Sequence, residues 1–237
     1  KWLSDQGVDI QAGIKINDVD FKPSKTRKTI EKIHLVKNGN KHEIVVRDHD
    51  CVFVTIGSKV ADSREGGMHD VPELVTDKRD GGWSLWEKMA DKVPDMGNPG
   101  AFSSNVDRTK WVVFTITTQG PLFAEKIRNY SRVEVQGEQH ILSCIDSNWG
   151  LGIHIPFQPH FRNQSQDTTV MLGYGLYGNT KGNHIKKTMP ESTGEELLSE
   201  LVYHLGFMDD LDEIKKVTAS IPTTLPYATS QFSPRKI

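Results

Sequence analysis

The chain has 237 residues, 36% of them hydrophobic and 25% charged, with 29 Lys and Arg against 31 Asp and Glu for a formal net charge of −2. A chain of this length can bury about 70% of its unfolded surface, enough for a core without staples, and its two cysteines, Cys51 and Cys144, make no disulfide framework. The absence of surplus cations argues against a nucleic-acid module, and no apolar run approaches the roughly 18 residues of a spanning helix.

The chain opens on Lys1 without a signal-peptide pattern. Val8, Ile10, Ala12, Ile14 and Ile16 alternate, which predicts a half-buried strand over 8–16. A hairpin follows, with Ile30, Ile33, Leu35 and Val36 before Asn38-Gly39 and Ile44, Val45 and Val46 after it. Asn-Gly suits a type I′ turn, because both central residues need positive φ. Cys51-Val52-Phe53-Val54-Thr55-Ile56-Gly57 is an apolar run ending in Gly, the pattern of a strand buried on both faces. Residues 61–80 are polar and read as a long loop, a kind of segment that is often functional.

A short helix is predicted over 84–92, with Ser84 as its cap and Leu85, Trp86 and Met89 on one side. Pro94, Gly97, Pro99 and Gly100 mark the next loop. A β-branched and aromatic strand over 111–118 leads to Pro121, which opens a helix of about ten residues with Leu122, Phe123 and Ile127 as its apolar side. Strands are expected over 139–144, 151–155 and 168–174. The helix over 194–205 has capping-box spacing at Thr193 and Glu196, and Gly206 follows it. A second helix over 209–218 begins acidic and ends in Lys215-Lys216, matching the helix dipole. Pro222, Pro226 and Pro234 then predict an extended tail.

Candidate chemistry is sparse. Gly173-Tyr174-Gly175-Leu176-Tyr177-Gly178 spells G-x-G-x-x-G, but a nucleotide fingerprint needs a helix directly after it, and Asn179-Thr180-Lys181-Gly182-Asn183 is turn-rich. The stronger reading is a strand running into a loop, with glycines allowing close approach. None of the nine histidines falls in a zinc pattern, so no metal site is expected. His154 and His160 flank Pro156-Phe157-Gln158-Pro159, where rigid backbone could hold an imidazole against a carboxylate; a purely structural role is the competing reading. Cys144, inside a predicted strand, reads as packing rather than nucleophile. Asp146-Ser147-Asn148-Trp149 is a turn with a Trp anchor. Trp83, Trp86, Trp111 and Trp149 fit either an apolar cavity or a plain core. Thr55-Ile56-Gly57-Ser58 after the hairpin has the pattern of a strand returning to a flavin, where Gly leaves room for the cofactor.

Taken together, these stretches resemble the oleate hydratases, once called myosin-cross-reactive antigens. The resemblance rests on Val52-Phe53-Val54-Thr55-Ile56-Gly57-Ser58, Gly81-Gly82-Trp83-Ser84-Leu85-Trp86, Asp146-Ser147-Asn148-Trp149, Gln158-Pro159-His160-Phe161, Gly173-Tyr174-Gly175-Leu176-Tyr177, Thr193-Gly194-Glu195-Glu196, Tyr203-His204-Leu205-Gly206-Phe207, and Thr229-Ser230-Gln231-Phe232 with Pro234-Arg235. They follow the family's order and span nearly the whole chain.

The resemblance implies an FAD-binding hydro-lyase that adds water to the cis-9 double bond of oleate-like fatty acids, giving 10-hydroxy acids without net redox change. One group protonates the alkene while another activates water. The family is longer than this chain. Its flavin fingerprint, the acidic residue beside the flavin and the proton-transferring tyrosine match nothing here, so no catalytic residue is assigned. By resemblance, Thr55, Gly57, Ser58, Ser230 and Gln231 are expected at the cofactor. His160 is expected to hold the fatty-acid carboxylate, with His154, Gln158, Thr229 and Phe232 near the substrate. Two polar partners of that histidine in the family correspond to Pro156, which cannot donate, and His154, a candidate substitute.

The expected fold is α+β: residues 1–60 as part of the FAD-binding domain, 61–220 as a mixed-sheet and helical substrate domain, and 221–237 as a return segment. The expected setting is a cytoplasmic homodimer that touches the membrane surface and takes an unsaturated fatty acid, with no nucleic-acid partner. Two other readings stay open: a flavin-dependent fatty-acid isomerase or desaturase-like oxidoreductase, and a non-catalytic fatty-acid-binding segment.

Overall fold

The structure, a computed structural model, describes residues 1–24, 26–132 and 139–229. The fold is α+β. After a short exposed helix α1 (Trp2–Asp5) come strands β1 (Ile14–Phe21), β2 (Ile30–Lys37) and β3 (Asn40–Val45), which form an antiparallel sheet in that order. The hairpin turn is as the sequence predicts: Asn38 and Gly39 have φ of 51° and 78°, and Lys37 faces Asn40. The first strand starts later than the alternation predicts. β2 ends at Lys37, opposite Ile14, and then turns away. No strand among the described residues pairs with residues 8–13, and Val8 and Ile10 are exposed.

Helix α2 (Gly82–Lys92) lies against this sheet through Leu85 and Met89, which pack with Val19. The Lys92 ammonium ties its end to β1, donating to Asp18 Oδ1 (2.8 Å), the Val19 carbonyl (2.8 Å) and Asp20 Oδ1 (3.1 Å). Ser84 is not the cap. It sits inside the first turn and its hydroxyl donates back to the Gly81 carbonyl, while left-handed Gly81 (φ 92°) opens the helix.

Residues 51–57 are extended but pair with no strand among the described residues. Val54 and Ile56 turn toward Leu85 and Met89, whereas Cys51 and Phe53 face out, Phe53 being 93% exposed. The expected two-sided burial is one-sided among the described residues: one face packs on α2 and the small sheet, and the other is exposed.

The larger sheet has six antiparallel strands: β4 (Arg64–Glu65), β9 (Thr218–Leu225), β5 (Trp111–Gln119), β8 (Thr168–Gly175), β7 (Leu151–Ile155) and β6 (His140–Ser143), in that spatial order. Helices α5 (Pro121–Ser131), α6 (Gly194–Leu205) and α7 (Leu211–Val217) cover one face. The core sits there, where Phe114, Ile116, Ile153 and Ile155 meet Phe123, Ile127, Leu197, Leu198, Leu201 and Ile214. α6 starts on the expected capping box, Thr193 Oγ1 accepting from Glu196 N (3.3 Å) and Glu196 Oε2 from Thr193 N (3.0 Å), and it ends on left-handed Gly206. Its apolar stripe is buried along its length, at about 1.5–3 kcal/mol per large side chain.

The part of the tail among the described residues is extended up to Leu225, as its prolines predict. Residues 218–225 form β9, on either side of the boundary expected at 221. The Pro222 carbonyl accepts from Gly66 N (2.9 Å), so its nitrogen also points toward the β4 edge, and β5 loses no bond to the missing N–H. No helix among the described residues is long and apolar enough to cross a membrane.

Candidate functional site

The outer side of α2 carries Trp83 and Trp86, whose rings stack 5.7 Å apart. Short helices α3 (Gly100–Ser103) and α4 (Val106–Thr109) bring in Phe102, and the turn after β9 brings in Tyr227, 5.2 Å from Trp83. Both indoles are fixed by donation, Trp83 Nε1 to the Ser58 carbonyl (3.1 Å) and Trp86 Nε1 to the Met96 carbonyl (2.7 Å). Of the two readings of the tryptophans, the core reading holds for this pair and for Trp149, which is fully buried with Nε1 on the Thr180 carbonyl.

Gly57 belongs to the same cluster. Its φ is 70°, and a Cβ there would stand 2.9 Å from the Trp86 ring. The room left by this glycine holds an indole. Thr55 and Ser58 are exposed and the backbone of 51–57 makes no hydrogen bond among the described residues, so this stretch could hold a flavin. Hydroxyls beside free backbone donors fit the ribityl or phosphate part of FAD.

Two polar groups are buried beside the cluster without hydrogen-bond partners among the described residues: Asp62 Oδ2 and the Tyr227 hydroxyl. Asp62 has φ 60°, and its carboxylate and that of Asp80 each accept the other residue's amide, at 2.7 and 2.8 Å. Burial pushes the Asp62 carboxyl up and the Tyr227 hydroxyl up to about 12.

Next to Ser58 opens a cavity of about 640 Å³, lined by Lys59, Arg108, Lys110, Trp111, Leu176, Tyr177, Gly178, Asn179, Thr180, Ala228 and Thr229. Its walls are fixed from behind. Trp111 donates to the Gly175 carbonyl and meets Tyr174 edge-on. The Tyr177 amide is held by the Trp149 carbonyl (2.8 Å). Thr229 donates through its amide to the Thr109 carbonyl (3.1 Å). The loop that follows is pinned by fully buried Glu200, whose carboxylate accepts from the amides of Asn183 (2.6 Å), His184 (2.9 Å) and Ile185 (2.6 Å).

The structure thus brings Thr229 to the cavity beside Ser58. It places the histidines elsewhere. His154 lies in β7 on the face away from the core, opposite Ile141 and Leu172, with its Nε2 buried and without a partner among the described residues. His160 is exposed in the loop after β7, its ring edge-on to Phe161 at 4.7 Å. Gln158 shapes that loop, donating to the Pro156 and Val170 carbonyls (2.9 Å each) and accepting from Gln164 Nε2 (2.7 Å). Gln164 in turn accepts from the His160 amide (2.8 Å). Ser230, Gln231 and Phe232 lie outside the described residues.

The glycine pattern at 173–178 packs closely, as the strand-into-loop reading expects: a Cβ at Gly173 would strike the Phe114 ring and one at Gly175 the Met189 sulfur. Cys144 packs on the core, and burial pushes its thiol up to about 11. Sequence reading missed Lys59, Arg108, Lys110 and Asn179, because the cavity draws on four separated segments and no local spacing marks them.

The MCRA family matches residues 1–237. The oleate hydratase of Streptococcus pyogenes serotype M49 (strain NZ131) is 33% identical over 244 residues, covering 99% of this chain and 41% of that protein. The linoleate hydratase of Lactiplantibacillus plantarum is 27% identical over 260 residues, covering 99% of this chain and 45% of that protein. The chain spans less than half the length of either relative.

Proposed function

The chain belongs to the MCRA family, and from that we propose that it is the segment of a fatty-acid hydratase that adds water to the cis-9 double bond of oleate-like acids to give 10-hydroxy acids. The observation that carries this reading is the cavity where Lys59, next to Ser58, meets Thr229. Thr229 belongs to one of the stretches that resemble the hydratases and Lys59 directly follows another; they are far apart in sequence, and the fold brings them to one cavity with aromatic and cationic residues.

FAD supplies a polarising planar surface when bound. Thr55 and Ser58 would hold it through hydroxyls and open backbone, together with Ser230 and Gln231, whereas the space beside Gly57 is taken by the Trp86 ring. His160 would hold the substrate carboxylate by a charge-assisted hydrogen bond. Its ring has no hydrogen-bond partner among the described residues, and exposed Phe157 and Phe161 flank it. Gln158 acts by position, since its amide is already committed to the loop that presents His160. His154, with a buried Nε2 that has no partner among the described residues, is the nearest replacement for the donor that Pro156 cannot be. Proton delivery to the alkene and activation of water fall to groups outside this segment. The full-length protein would work as a homodimer in the cytoplasm, touching the membrane surface from which its substrate comes.

The test is incubation of the full-length protein with oleate, with and without added FAD, followed by mass spectrometry of the lipid. A 10-hydroxy acid that requires FAD, with the flavin spectrum unchanged over turnover, is expected. An isomerised or dehydrogenated acid with flavin bleaching would refute hydration.

A further inference from the structure

We infer that the cavity of Lys59, Arg108 and Lys110 is a capture site for an anionic amphiphile, the free fatty acid, distinct from the carboxylate position at His160; this rests on the fatty-acid reading above. Charge comes first. Lys110 is paired with Asp107 Oδ1 at 2.7 Å, but among the described residues no carboxylate pairs with Lys59 or Arg108. Two basic side chains therefore line one cavity without a carboxylate partner among the described residues. Unpaired cations beside a low-dielectric wall concentrate field lines and raise the local concentration of anions. Arg108 adds a planar fork that matches a carboxylate.

Shape comes second. Leu176 and Tyr177 stand at the lip, 65% and 63% exposed, and the Trp111 ring forms the wall. Exposed apolar groups beside cations suit an amphiphile: its oxyanion meets Lys59 and Arg108, and its first methylenes cover Leu176 and Tyr177.

Rigidity comes third. Tyr177 is held so closely that a Cβ on Gly150 would stand 2.9 Å from its ring, and the loop behind it is fixed by Trp149 and Glu200. A preformed site loses less to ordering on binding. The volume, about 640 Å³, lies within the range of small-molecule sites. The same head-group chemistry occurs on anionic phospholipids, so the experiment separates the two sources.

Oleate and methyl oleate binding are measured by displacement of a fluorescent fatty acid from the full-length protein and from the Lys59→Glu/Arg108→Glu variant. The neutral Lys59→Gln/Arg108→Gln variant is run beside it. Both side chains are exposed, and thermal melting confirms that each variant is folded. The expected result is at least tenfold weaker oleate binding in the charge-reversed variant, a smaller loss in the neutral one, and unchanged binding of methyl oleate. Undiminished oleate binding overturns the inference, and it does so without touching the hydratase reading if 10-hydroxy acid is still made. Loss of binding to vesicles containing phosphatidylglycerol, with oleate binding intact, also overturns it in favour of a lipid head group. Weakened oleate binding in a protein that makes no hydroxy acid supports the capture site while refuting hydration. An unmodified protein that binds no oleate overturns both.

Discussion

Replacing Glu200 by Gln tests whether the cavity wall is held from behind. Glu200 is 0% exposed; Oε1 accepts from Asn183 N and lies 3.2 Å from His204 Nε2, while Oε2 accepts from His184 and Ile185. A carboxamide has the same shape but one acceptor oxygen. If that oxygen takes the Oε2 position, the new NH₂ group faces the Asn183 amide donor to donor. One hydrogen bond to a charged group is lost, worth about 1.5–3 kcal/mol, and the other two fall to neutral strength. Against this, a neutral amide is cheaper to bury than a carboxylate. The net is about 2 kcal/mol of destabilisation, which for a cooperative unit of 150–250 residues lowers Tm by about 4–8 °C. Thermal melting by circular dichroism gives the shift. Hydrogen exchange should show faster exchange at the amides of Asn183, His184 and Ile185. A Tm within about 1 °C of the parent, with exchange at those amides unchanged, would refute the anchoring role.

Gly57→Ala should destabilise by about 1–3 kcal/mol, since its Cβ meets the Trp86 ring and the residue needs positive φ; an unaltered melting curve and tryptophan emission would contradict the packing. The Tyr227 hydroxyl is pushed up to about 12 by burial, so the fold favours the neutral phenol. The stability this gives is complete below the unfolded value of about 10 and is lost as pH rises toward 12. Tyr227→Phe should flatten that alkaline loss, and parallel stability curves for the two proteins across this window would refute it. Iodoacetamide near pH 8 should label exposed Cys51 and spare half-buried Cys144, whose thiol is pushed up to about 11 by its packing on the core; equal labelling by peptide mapping would count against that packing. His160→Ala should weaken oleate binding by roughly 1–3 kcal/mol, and equal affinities for oleate and its methyl ester, before and after the change, would exclude His160 as the anchor.

What the sequence reveals here is what is local. The Asn38-Gly39 turn, the Thr193–Glu196 box and Gly206 follow from backbone conformations that few residues satisfy, and those elements appear where expected. The 8–16 alternation becomes strand only from Ile14, because a strand needs a partner and β2 ends opposite Ile14. The 51–57 run could not show that only one of its faces would be covered. The glycine at 57 was legible as a place of close approach, but not that an indole fills it. Lys59, Arg108 and Lys110 were invisible as a group because only the tertiary fold brings them to one cavity. The family resemblance, carried by many short stretches in order, reached further than any single motif.

The central claim is hydration, and the oxygen atom decides it. The full-length protein is given oleate in ¹⁸O-enriched water, and the product is fragmented in a mass spectrometer. The account predicts one solvent oxygen in the new hydroxyl group at carbon 10 and no change in the oxidation state of the flavin. An acid of unchanged mass, one lighter by two hydrogens, or a hydroxyl oxygen that does not come from the solvent would contradict it.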